Sequence, residues 1–226
     1  MRLLIDDANL ENIKELLGLF PIDGVTTNPT ILSKTGANPK QTLLKIREII
    51  GADRDLHVQA VAEKKDDIKA QAHKLVELLG ENTYIKVPAF KEGFKAIEEL
   101  KAEGIKTTAT GIYSPVQAFM AAKAGARYLA PYVNRIDNLG YDGIGVSIKI
   151  QNILDNNMFE SEILAASFKN SNQVLELLET GVGSVTLSYD VFKNLINDYN
   201  IEFAIKQFEK DFDKLLDGKD SFLDLL

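Results

Sequence analysis

The sequence predicts an α/β chain folded as one closed (β/α)8 barrel of the TIM type, a single domain over residues 1–226 with an extra C-terminal helix. Three observations predict it. Short β-branched runs alternate with helical-period segments eight times. The links are short and punctuated by Gly, Pro and Asn, with no repeat, linker or low-complexity tract. The turn after the first strand is Asp6-Asp7-Ala8-Asn9, without the glycines that an open dinucleotide-binding sheet carries there.

The elements follow in order. Leu3 to Asp6 is a strand, and Asn9 caps a helix to about Leu17. Gly24 to Thr27 is the second strand, ended by Asn28-Pro29, and a helix runs from Pro39 to Ile50. Leu56 to Val61 is the third strand, followed by a helix from Lys65 to Leu79 that stops at Gly80. Tyr84 to Pro88 is the fourth, with a helix over Lys91–Ala102. Lys106 to Thr110 is the fifth, with a helix from Ser114-Pro115 to Ala124. Arg127 to Tyr132 is the sixth, with a helix from Asp142 to Asn156; Ser161 to Ala166 is the seventh, with a helix over Ser171–Glu179. Ser184 to Leu187 is the eighth, followed by a helix near Tyr189. A last helix, about 200–217, places Ile201, Ile205, Phe208, Phe212 and Leu215 on one face, which suits either its own barrel or a neighbouring subunit.

Composition narrows the function classes. The 226 residues carry a net charge of −7, which disfavours a broad nucleic-acid-binding face. No apolar run reaches the roughly 18 residues of a membrane span, and the start reads as a strand with no secretory h-region. These features predict a cytoplasmic location. With no cysteine, disulfides and thiolate metal sites are excluded; with His57 and His73 the only histidines, a histidine-based metal site or triad has little support, and no cofactor is expected.

A barrel of this kind keeps its chemistry at the C-terminal ends of its strands, and the polar residues gather there. They are Asp6, Thr27, Asn28, Gln59, Lys86, Thr110, Tyr132, Asn134, Arg135, Ser167 and Lys169. Alternation puts Tyr84 with Lys86, Ala130 with Tyr132 and Ala165 with Ser167, on faces expected to point inward. Singly, each has an ordinary structural reading: strand-end hydroxyls, solvated loop charges, or an Asp6–Lys86 ion pair. Lys86 is the anomaly, because lysine is almost never fully buried unless paired, and a closed barrel leaves it no edge strand from which to reach solvent. An inward amine can attack a carbonyl and form a Schiff base. At an ordinary pKa of about 10.4 only roughly one lysine in 2,500 is neutral at pH 7, and desolvation removes part of that handicap.

Four segments, Gly24-Val25-Thr26-Thr27-Asn28-Pro29-Thr30, Tyr84-Ile85-Lys86-Val87-Pro88, Ala130 to Asp137 and Leu164 to Lys169, resemble the transaldolase family, most closely its short fructose-6-phosphate aldolase branch. The resemblance covers essentially the whole chain. It implies metal-independent class I aldol chemistry, with Lys86 as the Schiff-base lysine, Asp6 as the proton-transfer carboxylate and Asn28 with Thr27 beside the donor. Arg135 and Ser167 match acceptor-phosphate groups, and Lys169 stands near the place of a second phosphate-binding arginine in longer transaldolases. Thr110 matches the hydroxyl that positions the catalytic water. Gln59 and Tyr132 match the aldolases, where transaldolases have glutamate and phenylalanine. A tyrosine hydroxyl beside Thr110 and Gln59 can orient and protonate where phenylalanine cannot. Asp7 departs from the family's usual threonine, and Leu139–Gly145 and Phe222–Leu226 carry no family motif.

The resemblance implies cleavage of fructose 6-phosphate to dihydroxyacetone and glyceraldehyde 3-phosphate by a homo-oligomer, a pentamer or decamer, with the last helix on a neighbour. The alternatives are a transaldolase of the pentose phosphate pathway, moving a dihydroxyacetone unit from sedoheptulose 7-phosphate or fructose 6-phosphate to an aldose phosphate, and a sugar-phosphate-binding barrel without turnover.

Overall fold

A computed structural model describes residues 1–196, 198–216 and 223 of the chain. They fall into two units, Met1–Phe192 and Lys193–Leu226. The first contains a closed barrel of eight parallel strands in sequential order. It runs β1 (Arg2–Asp6), α1 (Leu10–Leu19), β2 (Gly24–Thr26), α2 (Pro29–Lys34), α3 (Pro39–Ile50), β3 (Asp55–Gln59) and α4 (Lys65–Leu79). Then come β4 (Thr83–Pro88), α5 (Lys91–Ala102), β5 (Thr107–Ile112), α6 (Pro115–Ala124), β6 (Tyr128–Pro131) and α7 (Val133–Asp137). The order ends with α8 (Gly143–Asn156), β7 (Glu162–Ala165), α9 (Ser171–Glu179), β8 (Ser184–Leu187) and α10 (Tyr189–Ile196), which crosses the boundary between the units. The second unit contains α11 (Tyr199–Leu216), which carries Ile201, Ile205, Phe208, Phe212 and Leu215 at helical spacing. Phe222 and Asp224–Leu226 of the unassigned tail lie outside the described residues.

Local chemistry explains where the helices start. Asn9, Asn28, Asn38, Ser114, Asp142 and Asn170 each accept a first-turn N–H, and Pro29, Pro39 and Pro115 supply a preset first turn. Two short helices, α2 and α7, lack the apolar period that marks the longer ones, so the sequence reading passed over them. Both matter here, because they carry Asn28 and Arg135 to the barrel mouth.

Two cores result from strand alternation. Outward residues such as Ile5, Val25, Val58, Ile85, Val87 and Leu129 pack against the helices. Leu4, Tyr84, Tyr128 and Leu164 form a separate cluster of inward residues. On β7 this reverses the expected parity: Leu164 is inward, and Ala165 belongs to the layer under the helices. Leucine and alanine are both tolerated in either layer, so the composition of this strand does not declare its register.

Two backbone features shape the mouth. A Cβ on Gly24 would lie 2.4 Å from the carbonyl oxygen of Asp55, so only glycine lets β2 and β3 approach as they do. Gly111 sits at φ +67°, and there the β5–β6 register shifts between Ala109 and Ile112.

Candidate active site

Lys86 is inward on β4 and only 6% exposed. Its Nζ donates to the carbonyl oxygen of Thr27 at 2.7 Å. Thr27 is placed by two bonds to the His57 carbonyl, from its N–H at 2.9 Å and its hydroxyl at 3.1 Å. Thr27 therefore offers Lys86 a carbonyl, and its hydroxyl is engaged in joining β2 to β3.

Asp6 ends β1 with its carboxyl turned inward. Thr26 donates its hydroxyl to Asp6 Oδ1 at 2.6 Å and also meets the Thr186 hydroxyl at 2.8 Å. Neither threonine was singled out from the sequence, although both share strand parity with inward neighbours, which was the available signal. Among the described residues no ion pair joins Asp6 to Lys86, so the simple structural pairing is not what holds the amine. Burial pushes the Asp6 carboxyl up, opposed by Lys86 and by the Thr26 hydrogen bond. Burial also pulls the Lys86 amine down, with Asp6 opposing and Arg135 assisting. Both shifts favour the uncharged forms, as expected when two ionisable groups leave water together.

Tyr132 follows β6 and pairs with Ala166 through an isolated bridge. Its hydroxyl lies 2.7 Å from Thr110 Oγ1. Burial raises its pKa, so the phenol keeps its proton. Arg135, on α7, lays its guanidinium 4.5 Å from the centre of the Tyr132 ring, a cation–π contact. Gln59 pairs with Lys86 in the β3–β4 register. It also borders an apolar pocket of about 410 Å³ between α2, α3 and α4. Among the described residues no hydrogen bond joins its amide to Lys86, Thr110 or Tyr132.

Asn28 accepts the Ile31 N–H at 3.0 Å, capping α2. With Asp6 and Arg135 it lines a cavity of about 840 Å³ bounded by the turn after β1, by α2 and by Ser188 after β8. Lys86 and Tyr132 are not among the residues that line that cavity; Arg135, which does, lies over the Tyr132 ring. Ser167 has φ +63°, uncommon for a residue with a side chain, and its carbonyl accepts the Asn134 N–H at 3.0 Å. Lys169 is exposed, and its backbone N–H donates to Gln173 Oε1 at 2.8 Å. The structure thus brings Lys86, Asp6, Thr26 and Thr27 together on one side and Tyr132, Thr110 and Arg135 on the other. Ser167 and Lys169 stand further along the rim.

His57, read from the sequence as a residue near a strand start, lies fully buried in the barrel interior. Its Nδ1 is 2.8 Å from Thr108 Oγ1, its ring stacks on Tyr84, and among the described residues its Nε2 has no hydrogen-bond partner. Among the described residues no three His, Asp or Glu side chains gather to hold a metal ion, and no helix is long and apolar enough to cross a membrane.

Residues 3–225 match the family model described as Transaldolase/Fructose-6-phosphate aldolase. A protein of Thermoplasma volcanium named "Probable transaldolase" is 38% identical over 97% of this chain and 99% of its own. One of Streptococcus pneumoniae named "Probable fructose-6-phosphate aldolase" is 39% identical over 94% of this chain and 96% of its own. Among solved structures, one described as a fructose-1,6-biphosphate aldolase of Coccidioides immitis matches at 18% identity. It covers 83% of this chain and 73% of that one, with a TM-score of 0.57. A flavocytochrome b2 variant matches at 14% identity over 95% of this chain and 63% of its own, with a TM-score of 0.59. These two likenesses show the barrel fold alone. The near-complete family match and the relatives at 38% and 39% identity carry the conclusion: the chain belongs to the Transaldolase/Fructose-6-phosphate aldolase family of enzymes.

Proposed function

We propose that this enzyme is a class I aldolase that reversibly cleaves fructose 6-phosphate to dihydroxyacetone and glyceraldehyde 3-phosphate. The observation that carries the reading is the Tyr132–Thr110 hydroxyl pair at 2.7 Å, at the same barrel mouth as a buried Lys86 amine. Lys86 Nζ attacks the ketose carbonyl carbon, forming a C–N bond as the carbonyl electrons move to oxygen. The nitrogen passes one proton to that oxygen, protonated Asp6 supplies the second, with which it leaves as water, and the iminium and the Asp6 carboxylate remain. The Asp6 carboxylate takes the proton of the C4 hydroxyl, the C3–C4 bond breaks, and its electrons enter the iminium as an enamine. The aldehyde leaves, Asp6 returns the proton it took to the enamine carbon, and water hydrolyses the iminium to free Lys86 and dihydroxyacetone, its released proton restoring protonated Asp6. Tyr132 and Thr110 hold the water that enters in this last step. Asn28 and the Thr27 segment face the donor; Arg135, Ser167 and Lys169 face the acceptor phosphate, and Gln59 adds a polar contact at the end of β3.

The second reading is a transaldolase, in which the enamine waits for an aldose phosphate. It is favoured by the Thermoplasma volcanium relative, at 38% identity against 39% for the aldolase-named one. One incubation separates them. Fructose 6-phosphate with no acceptor should release free dihydroxyacetone; release of glyceraldehyde 3-phosphate that depends on added erythrose 4-phosphate overturns the aldolase reading. Borohydride reduction in the presence of dihydroxyacetone should place a covalent adduct on Lys86, and folded protein with no adduct overturns both. The reading includes cytoplasmic action as a homo-oligomer, a pentamer or decamer, with the apolar face of α11 on a neighbour; sedimentation as a monomer would remove that part.

A further inference from the structure

The two adjacent aspartates that end β1 have opposite surroundings. Asp6 points into the barrel and receives the Thr26 hydroxyl. Asp7 points the other way, onto the start of α1. Its Oδ1 accepts the N–H groups of Ala8 at 2.7 Å and Asn9 at 3.0 Å, and its Oδ2 accepts the Asn12 amide at 2.8 Å. Both aspartates line the same 840 Å³ cavity. Three donors, two from the turn and one from α1, hold Asp7 against the helix start and away from Lys86.

Capping does not require that charge. Asn9 already caps α1 itself, and Asn28, Asn38, Ser114 and Asn170 hold other helix starts with neutral side chains. What a carboxylate adds at position 7 is a fixed negative charge one residue from the group that handles protons. We propose that Asp7 is a positioning residue, acting through Asp6: its charge biases Asp6 toward the protonated form that donates to the leaving hydroxyl.

The other groups facing Asp6 make this bias useful. Lys86 on β4 and Arg135 on α7 both favour the Asp6 carboxylate, as does the Thr26 hydroxyl from β2, itself in contact with Thr186 of β8. Tyr132, after β6, feels the Asp6 charge and keeps its proton. Against two cations and a hydroxyl, burial and Asp7 both act to raise the Asp6 pKa. Like charges disfavour ionisation of a neighbouring acid, and partial burial limits how far solvent screens them.

The inference rests on the aldol reading for its catalytic consequence but not for its physical test. Asp7→Asn removes the charge and keeps an oxygen for the Ala8 and Asn9 N–H groups; Asp7→Ser removes it with a smaller cap and guards against a folding defect in the first variant. The readout is the carboxylic-acid band in isotope-edited infrared spectra, assigned to Asp6 by its loss in Asp6→Asn. In both variants the pH at which this band disappears should fall by about half to one pH unit. The limb on which borohydride trapping declines with rising pH should move with it, while ketose binding changes little. A band that titrates where it does in the unsubstituted enzyme, in both folded variants, overturns the proposal. Unsubstituted enzyme that traps no adduct yet shows the band shift in the variants overturns the aldol reading and upholds the charge role of Asp7.

Discussion

The barrel interior holds two polar layers, and they differ in whether opposite charges meet directly. The lower layer has Arg2 donating to the Tyr128 hydroxyl at 2.6 Å and reaching Asp55 at 2.7 Å, with His57 stacked on Tyr84 and tilted against Tyr128. The upper layer has Lys86 with one carbonyl partner and Asp6 with one hydroxyl partner, and Asp6 opens onto a cavity. Below, charges are compensated and packed by aromatic faces, which serves cohesion. Above, two ionisable groups share the cost of burial without closing on each other, which leaves both in forms able to exchange protons with a substrate. Burial is common to both layers; an ion pair that closes below and none that closes above separates structure from chemistry.

The largest expected effect breaks the upper layer outright. Lys86→Met should abolish borohydride trapping and lower turnover by about 10⁵–10⁶-fold, the scale on which a covalent nucleophile is lost. The variant should stay folded, since a buried amine is exchanged for an apolar chain of similar length. Next comes Tyr132→Phe, with an expected loss of about 100-fold in release of free dihydroxyacetone and a much smaller change in ketose binding. Single-turnover trapping measures the two separately, and equal losses in both would remove Tyr132 from the hydrolytic step.

The lower layer should answer in stability and leave the chemistry alone. Asp55→Ala leaves Arg2 without its carboxylate and should cost about 2–3 kcal/mol in urea unfolding, below the value for a fully buried pair because Arg2 keeps 34% of its side-chain surface. Borohydride trapping on Lys86 should persist. The smallest effect concerns His57, whose pKa is held well below its ordinary value by burial first and by Lys86 and Arg2 after it. The folded state therefore binds fewer protons than the unfolded state below about pH 6.5. Stability present above that pH is lost as pH falls toward the folded pKa, by up to about 1.4 kcal/mol per pH unit. His57→Phe should flatten that part of the stability curve; an unchanged slope would place the acid sensitivity elsewhere.

Much of this was legible in the residues. Eight alternations and the Asp6–Asn9 turn determine a closed parallel barrel, because β-branched runs and helical periods encode strands and helices locally. Lys86 inside an apolar strand marks its own anomaly, and the Gly24–Thr30 and Tyr84–Pro88 segments point to the family. What one dimension does not encode is which side chains meet across strands. The Asp6–Thr26–Thr186 contacts, the Tyr132–Thr110 pair, the interior place of His57, the inward turn of Leu164 and the short helix that lays Arg135 on Tyr132 all depend on register. Register is a property of neighbouring strands, set by packing between segments that lie far apart in the chain. The sequence by itself determined that an amine, a carboxylate and hydroxyls end the strands of one barrel. Only the tertiary structure decided which of them share a desolvated interior and which are spent holding the backbone, because those roles follow from distance and desolvation.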